Sequence, residues 1–169
     1  TSHPKDMTDG LIEVYQSSKK LMPLVHLPVQ SGSNKILKFM NRKHLVSDYI
    51  KIYEKLKKIN PLIKFSSDFI ISYPGETAQD FKATLDLVKN IEFVNSYSFV
   101  FSPRPGTVAS GLNLIEKKIS LQRLEKIQRQ LFDHQIKMNK SLENHEIDVL
   151  LENKTDETTK FCGKSEYMT

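Results

Sequence analysis

The sequence predicts an α/β fold built on parallel strands. Three segments each begin as an apolar, strand-like run and end in small, polar, Gly- or Pro-bearing residues: HLPVQSGS (His26 to Ser33), FSSDFIISYPGET (Phe65 to Thr77) and SFVFSPRPGT (Ser98 to Thr107). Helical patterns follow the first two segments directly and the third after a longer loop. This order is typical of the βα units of a parallel barrel, in which loops at the C-terminal ends of the strands hold ligands. We therefore expect an open, partial barrel with a site at that edge.

The N-terminal elements follow from caps and apolar spacing. Thr8 and Ser33 are each placed to cap a helix, because a hydroxyl can accept the free N–H groups of a first turn. The strand between these helices is predicted over residues 24–29. A further helix is predicted from Ser47, where apolar residues recur at helical spacing, and Asn60-Pro61 should end it.

The middle of the chain repeats the pattern. A strand is predicted over residues 64–72, and the turn at Pro74-Gly75 leads into a helix. Thr77 and Asp80 have the spacing of a capping box at the start of that helix. The next strand is predicted over residues 96–101, so that all three strands should lie side by side and parallel.

The character of the chain changes after the loop that follows the third strand. Residues 120–144 read as one long helix with a broad polar face, and residues 146–151 and 159–163 read as strands. This tail is too short to be an independent domain. We therefore predict two parts: residues 1–144, the C-terminal portion of a barrel with a trailing helix, and residues 145–169, the start of a small β-rich module.

Composition narrows the class of protein. The chain has 169 residues, of which 38% are hydrophobic and 27% charged, with a net charge of +5 and a single cysteine, Cys162. The charge permits a partner such as RNA, although many ordinary proteins are equally basic. One cysteine forms no disulfide framework and no CxxC metal pair. No apolar run reaches transmembrane length and no signal peptide is visible, so we expect a cytoplasmic protein without a membrane partner.

Several polar residues at the strand ends suit a ligand that carries an amino acid and a ribose. Gln30 and Asp68 could hold hydroxyls or an ammonium group, and Arg42 could bind a carboxylate. The segment Ser31-Gly32-Ser33 would let a ligand approach the backbone beside the first helical N–H groups. The alternative is structural: Gln30 and Asp68 could satisfy backbone groups of the barrel, and Arg42 could be a surface cation. The residues alone leave both interpretations open.

Taken in order, the motifs TSHP, HLPVQSGS, MNRKH (Met40 to His44), SSDFI with YPGET, and FSPRPGT resemble those of the radical-SAM methylthiotransferases. Within them the chain is most similar to the tRNA 2-methylthio-N(6)-isopentenyladenosine synthases. The resemblance covers nearly the whole chain, from the end of the third barrel strand to the start of a TRAM domain. No single motif is specific, but the ordered set is.

The resemblance implies S-adenosylmethionine and 4Fe–4S clusters as cofactors, the anticodon stem-loop of tRNA as a partner, and a monomeric full-length protein. The expected cofactor contacts follow from matching positions, with Ser2 or His3 near the amino-acid end and the backbone at Phe101 near the adenine. The full set of expected binding residues is Gln30, Ser31, Arg42, Asp68, Ser72 and Phe101. We expect no catalytic side chain and no metal ligand in this chain.

The chain also departs from the family pattern. The cluster-binding CxxxCxxC motif and the sulfur-delivery domain are absent, so we expect a C-terminal fragment, inactive alone, whose missing N-terminal portion is its partner. Ser72 stands where the family usually has glycine. Two alternatives remain: a related methylthiotransferase for another tRNA nucleoside or a ribosomal protein, and a non-enzymatic RNA-binding remnant.

Overall fold

The computed structural model describes residues 2–18, 20–154 and 161–168 of the chain, with only the backbone described at Lys154. Within these ranges the helices are α1 (Asp9–Ser17), α2 (Asn34–Phe39), α3 (Val46–Ile59), α4 (Ala78–Ile91) and α5 (Lys117–Ser141). The strands are β1 (Leu24–His26), β2 (Lys64–Ser66), β3 (Asp68–Ile71), β4 (Tyr97–Val100), β5 (Val149–Lys154) and β6 (Phe161–Ser165). Short 3-10 turns cover Pro4–Asp6 and Val108–Gly111.

The first four strands are parallel, as predicted. β1 pairs with β2, and β3 pairs with β4, both in parallel register. A parallel bridge between Gln30 and Phe69 links the two pairs. β2 and β3, which together correspond to the strand predicted over residues 64–72, therefore lie between β1 and β4. The three predicted strands lie side by side, as the three repeated segments indicated.

The strand predicted over residues 64–72 is interrupted at Ser67. Here side chains replace part of the ladder: the Ser67 hydroxyl accepts the Val29 N–H at 2.9 Å, and the Ser67 N–H donates to the Ser96 hydroxyl at 2.9 Å. The strand predicted over residues 24–29 is likewise shorter, ending at His26, and Pro28 beyond it has no N–H to donate. The apolar pattern could not reveal this exchange of backbone for side-chain partners.

One face of these strands is covered by helices and the other is open. The covered face carries Val25, Phe65, Phe69 and Ile71, which are buried in a core with side chains of α1, α3, α4 and α5. The opposite face, which we call the open face, carries His26, Asp68, Ile70, Tyr97 and Phe99, none of which is fully buried. The alternation of β-strand side chains produces these two faces.

Three predicted helix caps are confirmed. Thr8, Ser33 and Thr77 accept the N–H groups of Leu11, Ile36 and Asp80, respectively. Two helix starts differ from the prediction. α3 begins one residue before Ser47, where Asp48 accepts the Leu45 N–H at 2.9 Å, and α5 begins at Lys117 rather than residue 120.

The C-terminal segments form an antiparallel pair, β5 with β6. The observed strands lie later in the sequence than the predicted ranges 146–151 and 159–163, and residues 159–160 lie outside the described residues. Tyr167 packs with Val94 and Met138 in a small second cluster. None of the described helices is both long and apolar enough to cross a membrane.

Candidate functional site

Gln30 lies where the segment after β1 reaches the middle strand. Its backbone N–H donates to the Asp68 carbonyl at 3.0 Å, and its carbonyl accepts the Ile70 N–H at 3.0 Å. The residue is 6% exposed and has a left-handed backbone, with φ of 72°. That conformation costs a non-glycine residue about 1–2 kcal/mol. Among the described residues, the Gln30 side-chain amide has no hydrogen-bond partner, which leaves it available to a ligand.

Asp68 opens β3 on the open face and lies close to a histidine and an arginine. Its Oδ2 is 3.5 Å from Nε2 of His26, and its side chain is 32% exposed. Burial lowers the pKa of Arg42, and the negative charge of Asp68 opposes that change. Gln30 and Asp68 are thus neighbours in the sheet, and Arg42 lies within electrostatic range of Asp68 but lines a different cavity, together with His44 and Asp48. That the three residues bind one ligand stays a prediction.

His26 is linked to the neighbouring strand by a directed hydrogen-bond chain. The Ser66 hydroxyl lies 2.8 Å from Nδ1 of His26 and donates to the Asn95 carbonyl at 2.6 Å. Because a serine hydroxyl has one hydrogen, Nδ1 of His26 must donate to Ser66. Nε2 is then the nitrogen that faces Asp68. His26 and Ser66 orient Asp68, a role that sequence reasoning missed.

The segment Ser31-Gly32-Ser33 packs against α4, and a ligand at its backbone stays a prediction. The Gly32 N–H donates to the Thr84 hydroxyl at 2.9 Å, and the fully buried Ser31 hydroxyl lies 3.4 Å from the same oxygen. A Cβ at Gly32 would lie 2.5 Å from the Ala83 carbonyl oxygen. The close approach that requires glycine is thus made by a helix. A contact between Ser31 and a cofactor stays a prediction.

Ser72 follows β3 in a left-handed conformation, with φ of 59°. This backbone geometry explains why glycine would suit the position. Its N–H donates at 3.0 Å to Oε2 of Glu76, a carboxylate that also receives Nη1 of Arg123 at 2.7 Å. Burial raises the pKa of Glu76, and the Ser72 N–H and Arg123 oppose that rise. The Ser72 hydroxyl itself is buried and has no hydrogen-bond partner among the described residues.

Phe101 follows β4, and its N–H donates to the Ile71 carbonyl at 2.8 Å. Its ring packs edge-on against Tyr73 with 4.8 Å between centroids. Ser72 and Phe101 together line a pocket closed by residues 114–121, and Gln30, Arg42 and Asp68 do not line it. Ser72 and Phe101 therefore lie at the C-terminal ends of β3 and β4, whereas Asp68 lies at the start of β3 beside Gln30.

His44 is a second residue that sequence reasoning missed. It is 5% exposed and packs edge-on against His3, with 5.3 Å between ring centroids. Burial lowers the pKa of His44, as do the nearby charges of His3 and Arg42. The Ser2 N–H donates to the His26 carbonyl at 3.4 Å, so the N-terminal residues lie beside β1. A contact of Ser2 or His3 with the amino-acid end of the cofactor stays a prediction. The signal for His26 was present in the sequence: a histidine inside an apolar strand, next to the buried Val25.

The two cofactors differ in how well these residues fit them. S-adenosylmethionine carries an ammonium group, a carboxylate, ribose hydroxyls and an adenine, and the unpaired Gln30 amide, Asp68 and Arg42 match these groups in charge and hydrogen bonding. A 4Fe–4S cluster requires several thiolates, whereas the sequence has only Cys162, which is exposed. No group of three or more potential metal-ligating side chains occurs in the described ranges. The residues present therefore fit S-adenosylmethionine, and they do not supply the several thiolates that a 4Fe–4S cluster requires.

Residues 1–88 match the sequence profile of the Radical SAM superfamily, and the chain belongs to that superfamily. Across its length it is similar to enzymes named tRNA-2-methylthio-N(6)-dimethylallyladenosine synthase: the protein of Pelagibacter ubique strain HTCC1062 is 65% identical over 169 residues, with all of this chain and 38% of the relative covered. The Zymomonas mobilis protein is 45% identical, with 99% of this chain and 38% of the relative covered. The chain thus spans about 38% of the length of these relatives.

A solved structure gives independent support for the fold. Coproporphyrinogen III oxidase from Escherichia coli, a radical SAM enzyme, superposes with a TM-score of 0.63 over 78% of this chain and 31% of its own, at 15% identity. At that identity the likeness shows the fold and carries no statement about the substrate.

Proposed function

We propose that the chain is the C-terminal part of the barrel of a tRNA methylthiotransferase, with its trailing helix and the start of a TRAM domain. The enzyme adds a 2-methylthio group to N(6)-isopentenyladenosine beside the anticodon. The names of the relatives, at up to 65% identity over the full length of this chain, support the reaction. The observation that carries the proposal is that Gln30 adjoins Asp68 in the parallel sheet while Arg42 lies within electrostatic range of Asp68.

These residues have separate roles toward S-adenosylmethionine, which supplies the radical chemistry when it is bound. Asp68 accepts hydrogen bonds from the ammonium group or a ribose hydroxyl, and His26 holds its carboxylate in place. Arg42 donates to the carboxylate of the cofactor, and the Gln30 amide donates to or accepts from a neighbouring hydroxyl. Ser72 and the backbone at Phe101 would border the adenine in the pocket that these two residues line.

The cofactor assignment is tested by calorimetric titration of S-adenosylmethionine into the complete product of the gene. Asp68→Asn should weaken binding roughly 10- to 100-fold, because hydrogen bonds to a charged group contribute about 1.5–3 kcal/mol. Asp86→Asn, on the exposed face of α4, is the matched control and should bind as the unmodified protein does. Equal affinity of the Asp68 variant and the control would remove Asp68 from the site.

The reaction is tested in cells by mass spectrometry of tRNA nucleosides. A strain without the gene should lose the 2-methylthio nucleoside and accumulate N(6)-isopentenyladenosine, and restoring the gene should reverse both changes. An unchanged nucleoside profile would refute the proposed substrate. It would leave open the test of cofactor binding, which is measured on the purified protein.

A further inference from the structure

Two aromatic side chains stand side by side on the open face. Tyr97 and Phe99 are 62% and 57% exposed, and their rings are nearly parallel, with an interplanar angle of 12° and 6.5 Å between centroids. We call these two residues the aromatic pair. Exposing two adjacent rings to water is unfavourable, because each ring can bury a large apolar area. Such an exposed apolar surface commonly marks a binding site.

The register of the strands places the aromatic pair next to the polar groups already described. Tyr97 pairs with Asp68, and Phe99 pairs with Ile70, in the parallel ladder of β3 with β4. Partners in register point to the same face of a sheet. The pair therefore extends the open face sideways from Asp68, toward the edge of β4 that has no neighbouring strand among the described residues.

A groove along that edge adds polar side chains beside the rings. It is lined by Tyr97, Ser98, Phe99 and, from α5, by Gln128, Phe132 and Gln135. Ser98 alternates with the two aromatic residues along β4 and therefore points to the covered face, where its hydroxyl is buried. A ligand seated against the rings would thus meet flat apolar faces, with the amide side chains of α5 at the rim of the groove.

We propose that the aromatic pair is the platform on which the unpaired adenine base of the RNA substrate stacks. This inference rests on the proposed function and assigns residues to its substrate. Bases splayed out of RNA are commonly recognised by stacking on aromatic side chains, and the alkyl group on the base adds apolar area to bury. The adjoining cofactor residues bring the reacting partners onto one face.

Charge favours a nucleic acid over a protein segment as the occupant. Residues 101–113, which follow β4, contain Arg104 and no acidic residue. Arg104 is exposed and takes part in none of the ion pairs among the described residues. It is therefore free to contact a phosphate next to the stacked base. The net charge of +5 acts in the same direction.

The test measures binding of two fluorescently labelled RNA hairpins to the complete gene product by anisotropy. One hairpin carries N(6)-isopentenyladenosine in its loop, and the other carries an abasic position there. The unmodified protein should bind the first more tightly. Tyr97→Leu and Phe99→Leu should each weaken that binding roughly 5- to 100-fold and reduce the difference between the two hairpins. Binding of the abasic hairpin should stay nearly unchanged.

Phe39→Leu is the matched control, because Phe39 is a 51% exposed aromatic on α2, away from the pair. It should keep the preference for the base, and thermal melts should show that all variants are folded. Variants of the pair that retain the full preference would overturn the inference, as would unmodified protein that binds both hairpins equally or neither.

Sedimentation of the same proteins tests the other possible occupant. A dimer of the unmodified protein that dissociates in Tyr97→Leu would show that a second copy covers the rings, and would also overturn the inference. The nucleoside profile of the deletion strain decides the proposed function independently of these outcomes.

Discussion

Asp80 connects two of the loops that form the site, and its replacement by asparagine should destabilise the fold. Its Oδ1 accepts the Ser33 hydroxyl at 2.7 Å, which joins the cap of α2 to the first turn of α4. Its Oδ2 accepts the Thr77 N–H at 2.9 Å, the Thr77 hydroxyl at 2.7 Å and the Lys35 ammonium at 2.9 Å. An asparagine could keep its amide oxygen toward Thr77 and Lys35 and turn its nitrogen toward the Ser33 hydroxyl, but it would lose the negative charge that strengthens all of these hydrogen bonds.

The expected loss follows from these contacts. A capping interaction contributes about 1 kcal/mol, and a hydrogen bond to a charged group contributes about 1.5–3 kcal/mol. Because the Asp80 side chain is only 12% exposed, solvent reduces these values little. Asp80→Asn should therefore lower the free energy of unfolding by about 2–3 kcal/mol at pH 7.

The loss should depend on pH in a defined direction. Burial opposes ionisation of Asp80, but the hydrogen bonds from Ser33, Thr77 and Lys35 outweigh it and hold the pKa of Asp80 well below its ordinary value. A carboxyl group with a lowered pKa stabilises the fold above its unfolded pKa of about 4, and that contribution is lost as the pH falls further. The difference between unmodified protein and variant should thus be constant above about pH 5 and shrink below pH 4.

Urea denaturation at several pH values measures this difference. Asp86→Asn is the matched control, since Asp86 lies on the same helix in an exposed ion pair with Lys82, and it should change stability by less than about 0.5 kcal/mol. A loss at Asp80 no larger than that at Asp86, or one that grows toward acid pH, would refute the reasoning.

Three further predictions concern the packing around the site. Arg123→Met should lower the free energy of unfolding in urea by about 3–5 kcal/mol, because it leaves a buried carboxylate unpaired, whereas Arg129→Met, in an exposed pair, should be nearly neutral. Gly32→Ala should lower the melting temperature because its methyl group would meet the backbone of α4, and Gly10→Ala should not, because nothing lies within 4 Å of a Cβ there. Ser72→Gly should retain or slightly raise the melting temperature by relieving a left-handed backbone, and a clear loss would show that the serine side chain contributes more than the strain costs.

Much of the architecture was predictable because local patterns determine it. Apolar spacing distinguishes strands from helices, and the hydroxyl side chains of Thr8, Ser33 and Thr77 indicate where helices begin. These signals act over three to four residues and need no tertiary information. The interruption at Ser67 was not predictable, since it depends on hydroxyls that meet N–H groups from distant segments.

The sequence suggested which residues form the candidate site, but not their backbone conformations or their hydrogen bonds. Gln30, Asp68 and Arg42 were identified as a group, yet the left-handed backbone at Gln30 gives no sequence signal, because glutamine has no special tolerance for it. The chain from His26 to Ser66 joins residues 40 positions apart. Such contacts depend on the register of neighbouring strands, and a single sequence does not specify that register.

In the loop after β1, residues with structural contacts stand next to a residue proposed to bind a ligand. Hydrogen bonds to Thr84 and Asp80 engage Ser31, Gly32 and Ser33, so this part of the loop is fixed to α4. Gln30, one residue earlier, is turned by its left-handed backbone and keeps its amide unpaired among the described residues. A rigid anchor beside unsatisfied polar groups is what a preorganised ligand site requires. In the proposed function the loop therefore has two roles, because residues 31–33 hold it against α4 while Gln30 keeps its amide for a ligand next to Asp68.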